Sequence, residues 1–186
     1  HDLKPLDTLS QYREVFTFPI EDYYKRVGFD FDKIPFSMLA HEYMEDYQEK
    51  SYACDLHSDV LDVVNKAKNL GFSQTVLSAS KMDYLLKQME TLHVDDLFDS
   101  IYGINDIYAK SKVELAHAFK QTCSLDDEIY FVGDSVHDYE VAKNIGAKCI
   151  LVTTGHQNRA TLESVNVPVM DSLMESLDLI YERDKD

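Results

Sequence analysis

Apolar and polar positions change their rhythm near residue 53, and from there onward two periods alternate. Val60, Val63, Val64, Ala67 and Leu70 fall on one helical face and predict a helix over about 58–70, with Gly71 as its stop. Thr75-Val76-Leu77 reads as a short strand, followed by a helix from about Met82 to Leu92 and a second strand at Ser100-Ile101-Tyr102. Ser111 and Glu114 form a capping-box pattern that opens a helix running to Gln121. Glu128 to Val132 is the clearest strand, and a helix from about Val136 to Ile145 follows, stopped by Gly146. Cys149 to Val152 is a fourth apolar strand, with a helix near 158–164 after it. Val167-Pro168-Val169 reads as a short edge strand before a last helix near 172–181.

Strand and helix thus alternate at least four times. That order predicts an α/β fold in three layers, a Rossmann-like parallel sheet with helices on both faces. Residues 1–52 behave differently. Leu39, Tyr43 and Tyr47 recur at helical spacing within Phe36 to Tyr52, no strand is evident, and Pro5, Pro19 and Pro35 punctuate the segment. It reads as a small helical unit, so the expected division is 1–52 helical and 53–186 α/β. Its Tyr and Phe clusters read as the core of that unit, with one or two rings lining a substrate entrance.

Composition narrows the partners. The 186 residues carry 34 acidic and 18 basic side chains, a formal charge of −16, with 45% hydrophobic residues. A chain of this length buries about 70% of its unfolded surface, enough for one core and a small satellite. The acidic balance speaks against nucleic acid or an anionic membrane as partner. No apolar run approaches the roughly 18 residues of a membrane helix. Cys54, Cys123 and Cys149 are odd in number and form no CxxC pair, which fits reduced thiols in the cytoplasm.

In a parallel sheet, ligands gather outside the carboxyl ends of the strands. After the first strand come Ser78, Ala79 and Ser80; after the second, a loop reaching Ala109-Lys110-Ser111-Lys112. The third leads into Gly133-Asp134-Ser135-Val136-His137-Asp138, and the fourth into Thr153-Thr154-Gly155-His156. A hydroxyl, an ammonium and two carboxylates on one sheet edge are an inventory for a phosphate and a divalent cation. Asp134 and Asp138, four residues apart at a helix start, can converge on one point, and oxygen ligands of this sort suit Mg²⁺. They could equally serve only as caps at the helix N-terminus. Ser78 could likewise be a plain N-cap, and Lys112 a solvated lysine. Gly155-His156-Gln157 reads as a substrate or cap contact, and His137 as solvent-facing. His41, Glu42, Glu45 and Asp46 read as a solvated helical face, and Cys123 and Cys149 as packing residues.

The order Leu77-Ser78-Ala79-Ser80, then Ser111-Lys112, then Gly133-Asp134-Ser135-x-x-Asp138 resembles motifs two to four of the haloacid dehalogenase-like hydrolase superfamily. Separations of 34 residues from Ser78 to Lys112 and 22 from Lys112 to Asp134 fit that order. The resemblance implies a helical cap domain in the first half, as in the phosphoglycolate-phosphatase-like branch. It implies hydrolysis of a small phosphorylated metabolite through an aspartyl-phosphate with Mg²⁺ as cofactor. Asp134 would ligate the metal directly, Asp138 would hold it through water or orient a ligand, and Ser78, Ala79 and Lys112 would bind the phosphoryl group.

One element of the pattern is not found. The first motif, an apolar strand ending in Asp-x-Asp/Asn-Gly-Thr whose first Asp is the nucleophile, should precede the cap. Asp30-Phe31-Asp32 continues into Lys33-Ile34 and follows no buried strand, so it reads as a cap turn. The family's first strand lies between those carrying Ser78 and Asp134, and its absence would leave two rows of unpaired backbone groups. The expectation is a segment upstream of His1, cleaved but retained, or supplied by another chain. A phosphosugar mutase is the alternative enzyme, from the Leu77-Ser78-Ala79-Ser80-Lys81 pattern, although Asp138 is commonly missing in mutases. A non-catalytic binding or scaffold protein follows if no such segment exists.

Overall fold

A computed structural model describes residues 1–104 and 111–185. Three helices open the chain: α1 (Leu9–Val15), α2 (Ile20–Arg26) and α3 (Phe36–Ser51). α1 begins with a true capping box, Thr8 accepting from the Gln11 amide while Gln11 reaches back to the Thr8 amide. Tyr24, Phe16 and Leu39 are buried among these helices, with aromatic rings packed edge to face around Tyr24. Asp30 and Asp32 lie in the turn between α2 and α3, where Asp30 accepts the Asp32 amide.

The remainder alternates as α4 (Val60–Asn69), β1 (Thr75–Lys81), α5 (Met82–Thr91), β2 (Ser100–Ile104), α6 (Lys112–Thr122), β3 (Tyr130–Gly133) and α7 (Val136–Ile145). It ends with β4 (Lys148–Val152), α8 (Arg159–Glu163), β5 (Val169–Met170) and α9 (Leu173–Arg183). All strand pairings are parallel. Helices lie on both faces because alternate strand residues point to opposite sides. Val76 and Ile101 pack under α5 with Leu85 and Met89, whereas Leu77 and Phe131 meet Ala116 of α6 and Val141 of α7. Ile150, Leu151 and Leu162 are fully buried and mark the densest part of the core. Burying a residue of this size stabilises by about 1.5–3 kcal/mol.

The far ends of the chain are tied by charge. Asp59 accepts the Leu173 and Met174 amides at 3.0 and 3.3 Å and so caps α9 from the start of α4. Lys66 of α4 reaches Asp178 of α9 at 2.5 Å.

The strands fall into two groups, β1–β2 and β3–β4–β5, with no ladder between β1 and β3 among the described residues. β1 pairs only with β2 and β3 only with β4, so one edge of each is unpaired. A groove of about 530 Å³ lies there, lined by Thr75 and Leu77 of β1, Phe131 and Val132 of β3, and Lys112 and Phe119 of α6. Val132 is 37% exposed, whereas every residue of β4 from Cys149 to Val152 is buried. Among the described residues no helix is long and apolar enough to cross a membrane.

Strand limits depart from those expected: β2 runs on to Ile104, β4 begins at Lys148, and β5 is shifted to Val169–Met170. β1 continues through Ser78-Ala79-Ser80 to Lys81, with Leu77 opposite Tyr102 but Lys81 opposite Ile104, so the serines occupy a bulge and not a loop. β3 starts at Tyr130 because Glu128 turns aside to an ion pair with Lys148 and a 2.6 Å bond from the Tyr130 hydroxyl.

Candidate functional site

The turn from β3 into α7 is built around Asp138. Ser135, extended at φ −145°, is the N-cap, and it is only 4% exposed. Oδ2 of Asp138 accepts from the Asp134 amide (3.0 Å), the Ser135 amide (3.1 Å) and the Ser135 hydroxyl (2.8 Å). Its other oxygen, Oδ1, accepts from Nζ of Lys112 at 2.5 Å. Lys112 arrives there as the first residue of α6, whose N-cap Ser111 accepts the Glu114 amide. The ammonium also lies 5.6 Å from the Phe131 ring centre. Burial alone would raise the Asp138 pKa, but the adjacent ammonium and the hydrogen bonds outweigh it and hold the carboxyl below its ordinary range. Asp138 is therefore a buried anion with four donors.

Asp134 points elsewhere. Its Oδ2 accepts the His156 amide at 2.7 Å, which ties the end of β3 to the loop after β4. The same loop sends the buried Gln157 side chain to the Val136 amide at 2.7 Å, satisfying the first free donor of α7. Two glycines make the approach possible. A Cβ on Gly133 would stand 2.3 Å from Asp138 Cβ, and one on Gly155 would stand 1.8 Å from Asp134 Oδ2. Both contacts are far inside van der Waals distance, so only glycine admits the carboxylates at these points.

Of the residues singled out from the sequence, Lys112, Asp134 and Asp138 meet through these bonds. Ser78 follows Leu77 of the groove wall but lines a separate cleft beside α3, and its hydroxyl accepts the Ser80 amide at 3.1 Å. Ala79 beside it is exposed. Ala109 and Lys110 lie outside the described residues. His137 is half-buried against the Phe18 ring at 5.2 Å. His41 faces Glu45 at 3.3 Å with both side chains more than 70% exposed, and Asp46 pairs with Lys50. Among the described residues no three His, Cys, Asp or Glu side chains gather as a metal set. A cation at this edge would thus take protein oxygen from Asp134, share Asp138 with Lys112, and complete its shell with water and phosphate. Mg²⁺ binds in this manner, keeping several waters on one or two carboxylates, so the donors present fit it. Cys149 is packed and chemically quiet, its thiol pushed up to about 12 by burial and then by Asp138.

α1 also reaches this loop, through contacts that no local pattern announces. The Arg13 guanidinium donates to the Gly155 and Thr154 carbonyls at 2.8 and 2.9 Å, and Asn158 donates to the Arg13 carbonyl at 3.4 Å. The Tyr12 hydroxyl meets His156 Nδ1 at 2.6 Å, and Phe16 stacks on the same ring at 4.7 Å. Burial first, then Tyr23, Tyr43 and Asp134, push the Tyr12 phenol well above its ordinary range and keep it neutral. The loop carrying Gly155 and His156, expected to make a substrate or cap contact, meets α1 through these bonds. Backbone carbonyls recognised by an arginine about 140 positions away leave no local pattern.

Comparison with known proteins gives a family and a fold. The sequence pattern of the family described as haloacid dehalogenase-like hydrolase matches residues 4–152. No curated protein matches the sequence. Among solved structures, a haloacid dehalogenase-like family hydrolase from Streptococcus pneumoniae superposes with a TM-score of 0.79 at 20% identity, covering 95% of this chain and 83% of that one. A predicted phosphatase from Clostridium acetobutylicum gives 0.76 at 20% identity, with the same 95% and 83% coverage. A predicted phosphoglycolate phosphatase from Haemophilus somnus 129pt gives 0.70 at 15% identity, covering 96% and 84%.

Proposed function

The chain belongs to the haloacid dehalogenase-like hydrolase family, and from that premise we propose that it hydrolyses a small phosphate monoester with Mg²⁺. The observation that carries this reading is the buried Lys112–Asp138 pair with Asp134 beside it at the carboxyl end of β3. An ammonium held at a strand end, next to a carboxylate with a free oxygen, suits a transferring phosphoryl group and its cation. Such a transition state is loose, so positioning and charge stabilisation do most of the work.

In this reading Asp134 would hold Mg²⁺, which when bound would supply positive charge against the phosphoryl oxygens. Asp138 fixes Lys112 and can reach the cation through water. Lys112 offsets the negative charge of nucleophile and phosphate. Ser78 and the Ala79 amide hold the phosphoryl group from the β1 side. Asp134 and Asp138 are both engaged in this role, and Asp30 and Asp32 belong to a distant turn. The family pattern puts the nucleophilic carboxylate on a first strand ahead of the cap, and the groove between β1 and β3 is where such a strand would sit. The carboxylate oxygen forms a bond to phosphorus as the ester P–O bond breaks, and the leaving alkoxide takes a proton from water, leaving hydroxide for the second step. That hydroxide then cleaves the acyl phosphate, restoring the carboxylate and releasing inorganic phosphate.

The test is Mg²⁺-dependent phosphate release from simple monoesters by the full-length protein. Asp134→Asn is expected to lower kcat at least about a hundredfold, the scale on which one preorganised electrostatic group acts. Turnover unchanged in that variant rules out the assignment of the metal.

A further inference from the structure

A second cavity, of about 270 Å³, lies where α3 leans over the end of β1. One side is the bulged segment Ser78-Ala79-Ser80-Lys81, and the other presents Tyr43, Met44 and Tyr47 of α3, with Tyr84 of α5 beside them. The three α3 side chains are 53%, 41% and 41% exposed. Large apolar groups left this open, at i, i+1 and i+4 of one helix, form a face rather than a buried seam. Tyr43 and Tyr47 lie nearly parallel, with ring centres 5.5 Å apart and planes 23° from each other. Lys81 is drawn to the far wall, 5.4 Å from the Tyr84 ring centre and paired with Asp83.

We infer that this cleft is the leaving-group pocket and that the leaving group is a single aromatic ring. The inference rests on the reading of Ser78 as a phosphoryl contact. With phosphate at the serines, the ester oxygen points across the cleft toward two phenol faces and a thioether. Such a wall stacks on a flat ring and contacts its edge through sulfur. A polyhydroxylated sugar would find few partners beyond Ser51, Gln88, Lys81 and the phenol hydroxyls, and would lose water against the ring faces. The volume suits one ring, being slightly below the usual range for ligand pockets. The substrate class is thus an aryl phosphate or the phosphate of an alcohol carrying one ring.

Binding of uncleavable phosphonates to the full-length protein with Mg²⁺ tests this by calorimetric titration. Inorganic phosphate and methylphosphonate report the serine end alone, and phenylphosphonate reports both. Phenylphosphonate is expected to bind at least about tenfold tighter than methylphosphonate, the scale of two ordinary ring contacts. Tyr47→Ala should remove most of that advantage, Tyr47→Phe should keep it, and neither should change the affinity for inorganic phosphate. Equal affinities for the two phosphonates, or an advantage that survives Tyr47→Ala, would overturn the inference alone. If none of the three binds, the reading of the whole edge falls and the inference falls with it.

Discussion

Lys112 and Asp138 stabilise the fold and equip the site with the same bond. The Asp138 side chain is 3% exposed and that of Lys112 19%, so neither charge has water to fall back on. Removing one partner of a buried pair leaves the other uncompensated and costs about 3–5 kcal/mol. Lys112→Met is expected to lose stability on that scale at pH 7, measured by urea unfolding. The pH dependence follows from the depressed folded pKa of Asp138. A group of this kind contributes stability that is present above its unfolded value, about 3.9, and is lost as pH falls through the lower folded value. In Lys112→Met the ammonium that lowers the pKa is gone, so the acid limb of the stability curve should move to higher pH. An unmoved limb would show that the pair does not govern it.

At the scale of elements, the β3–α7 turn and the β4–α8 loop are locked by absent side chains. Gly133→Ala drives a methyl into Asp138 and is expected to cost about 1–3 kcal/mol by overpacking, read from thermal unfolding. Gly155→Ala drives one into the Asp134 carboxylate instead. Its expected signature is a fall in Mg²⁺ affinity larger than its fall in stability, and equal falls would argue against a ligand role for Asp134. Elements of this kind were partly legible. The run Cys149 to Val152 and the helix Val136–Ile145, with Gly146 in the left-handed conformation, stand where periodicity and stop signals put them. The β1 bulge was not legible, because the shift that pairs Lys81 with Ile104 depends on β2. Nor was the start of β3, where Glu128 prefers Lys148 to the ladder. Lys112 and Asp138 could be read as belonging to one edge, but their mutual bond could not. Spacing along a chain carries no information about which oxygen of a carboxylate faces which helix.

For the whole molecule, the charge of −16 looks different once the site is mapped. Only two of the 34 acidic residues stand at the β3–α7 turn, and most of the others for which partners are seen form exposed ion pairs of little energetic worth. Net repulsion between copies remains, and it works against a liability elsewhere in the fold. Among the described residues, the facing edges of β1 and β3 carry no ladder partner, with Val132 open beside them. Such edges are templates for strand addition, and natural sheets blunt or cover them. Where those edges are uncovered, copies of the chain are expected to associate, and like charge is what opposes it. Raising the salt shortens the reach of that repulsion to about 3 Å at 1 M. Light scattering should then rise with ionic strength, and an apolar strand-forming peptide should suppress the rise. Scattering that ignores salt would mean that the two edges are already protected. The facing edges of β1 and β3, which frame the groove, are thus also the point at which the protein is most exposed to its own copies.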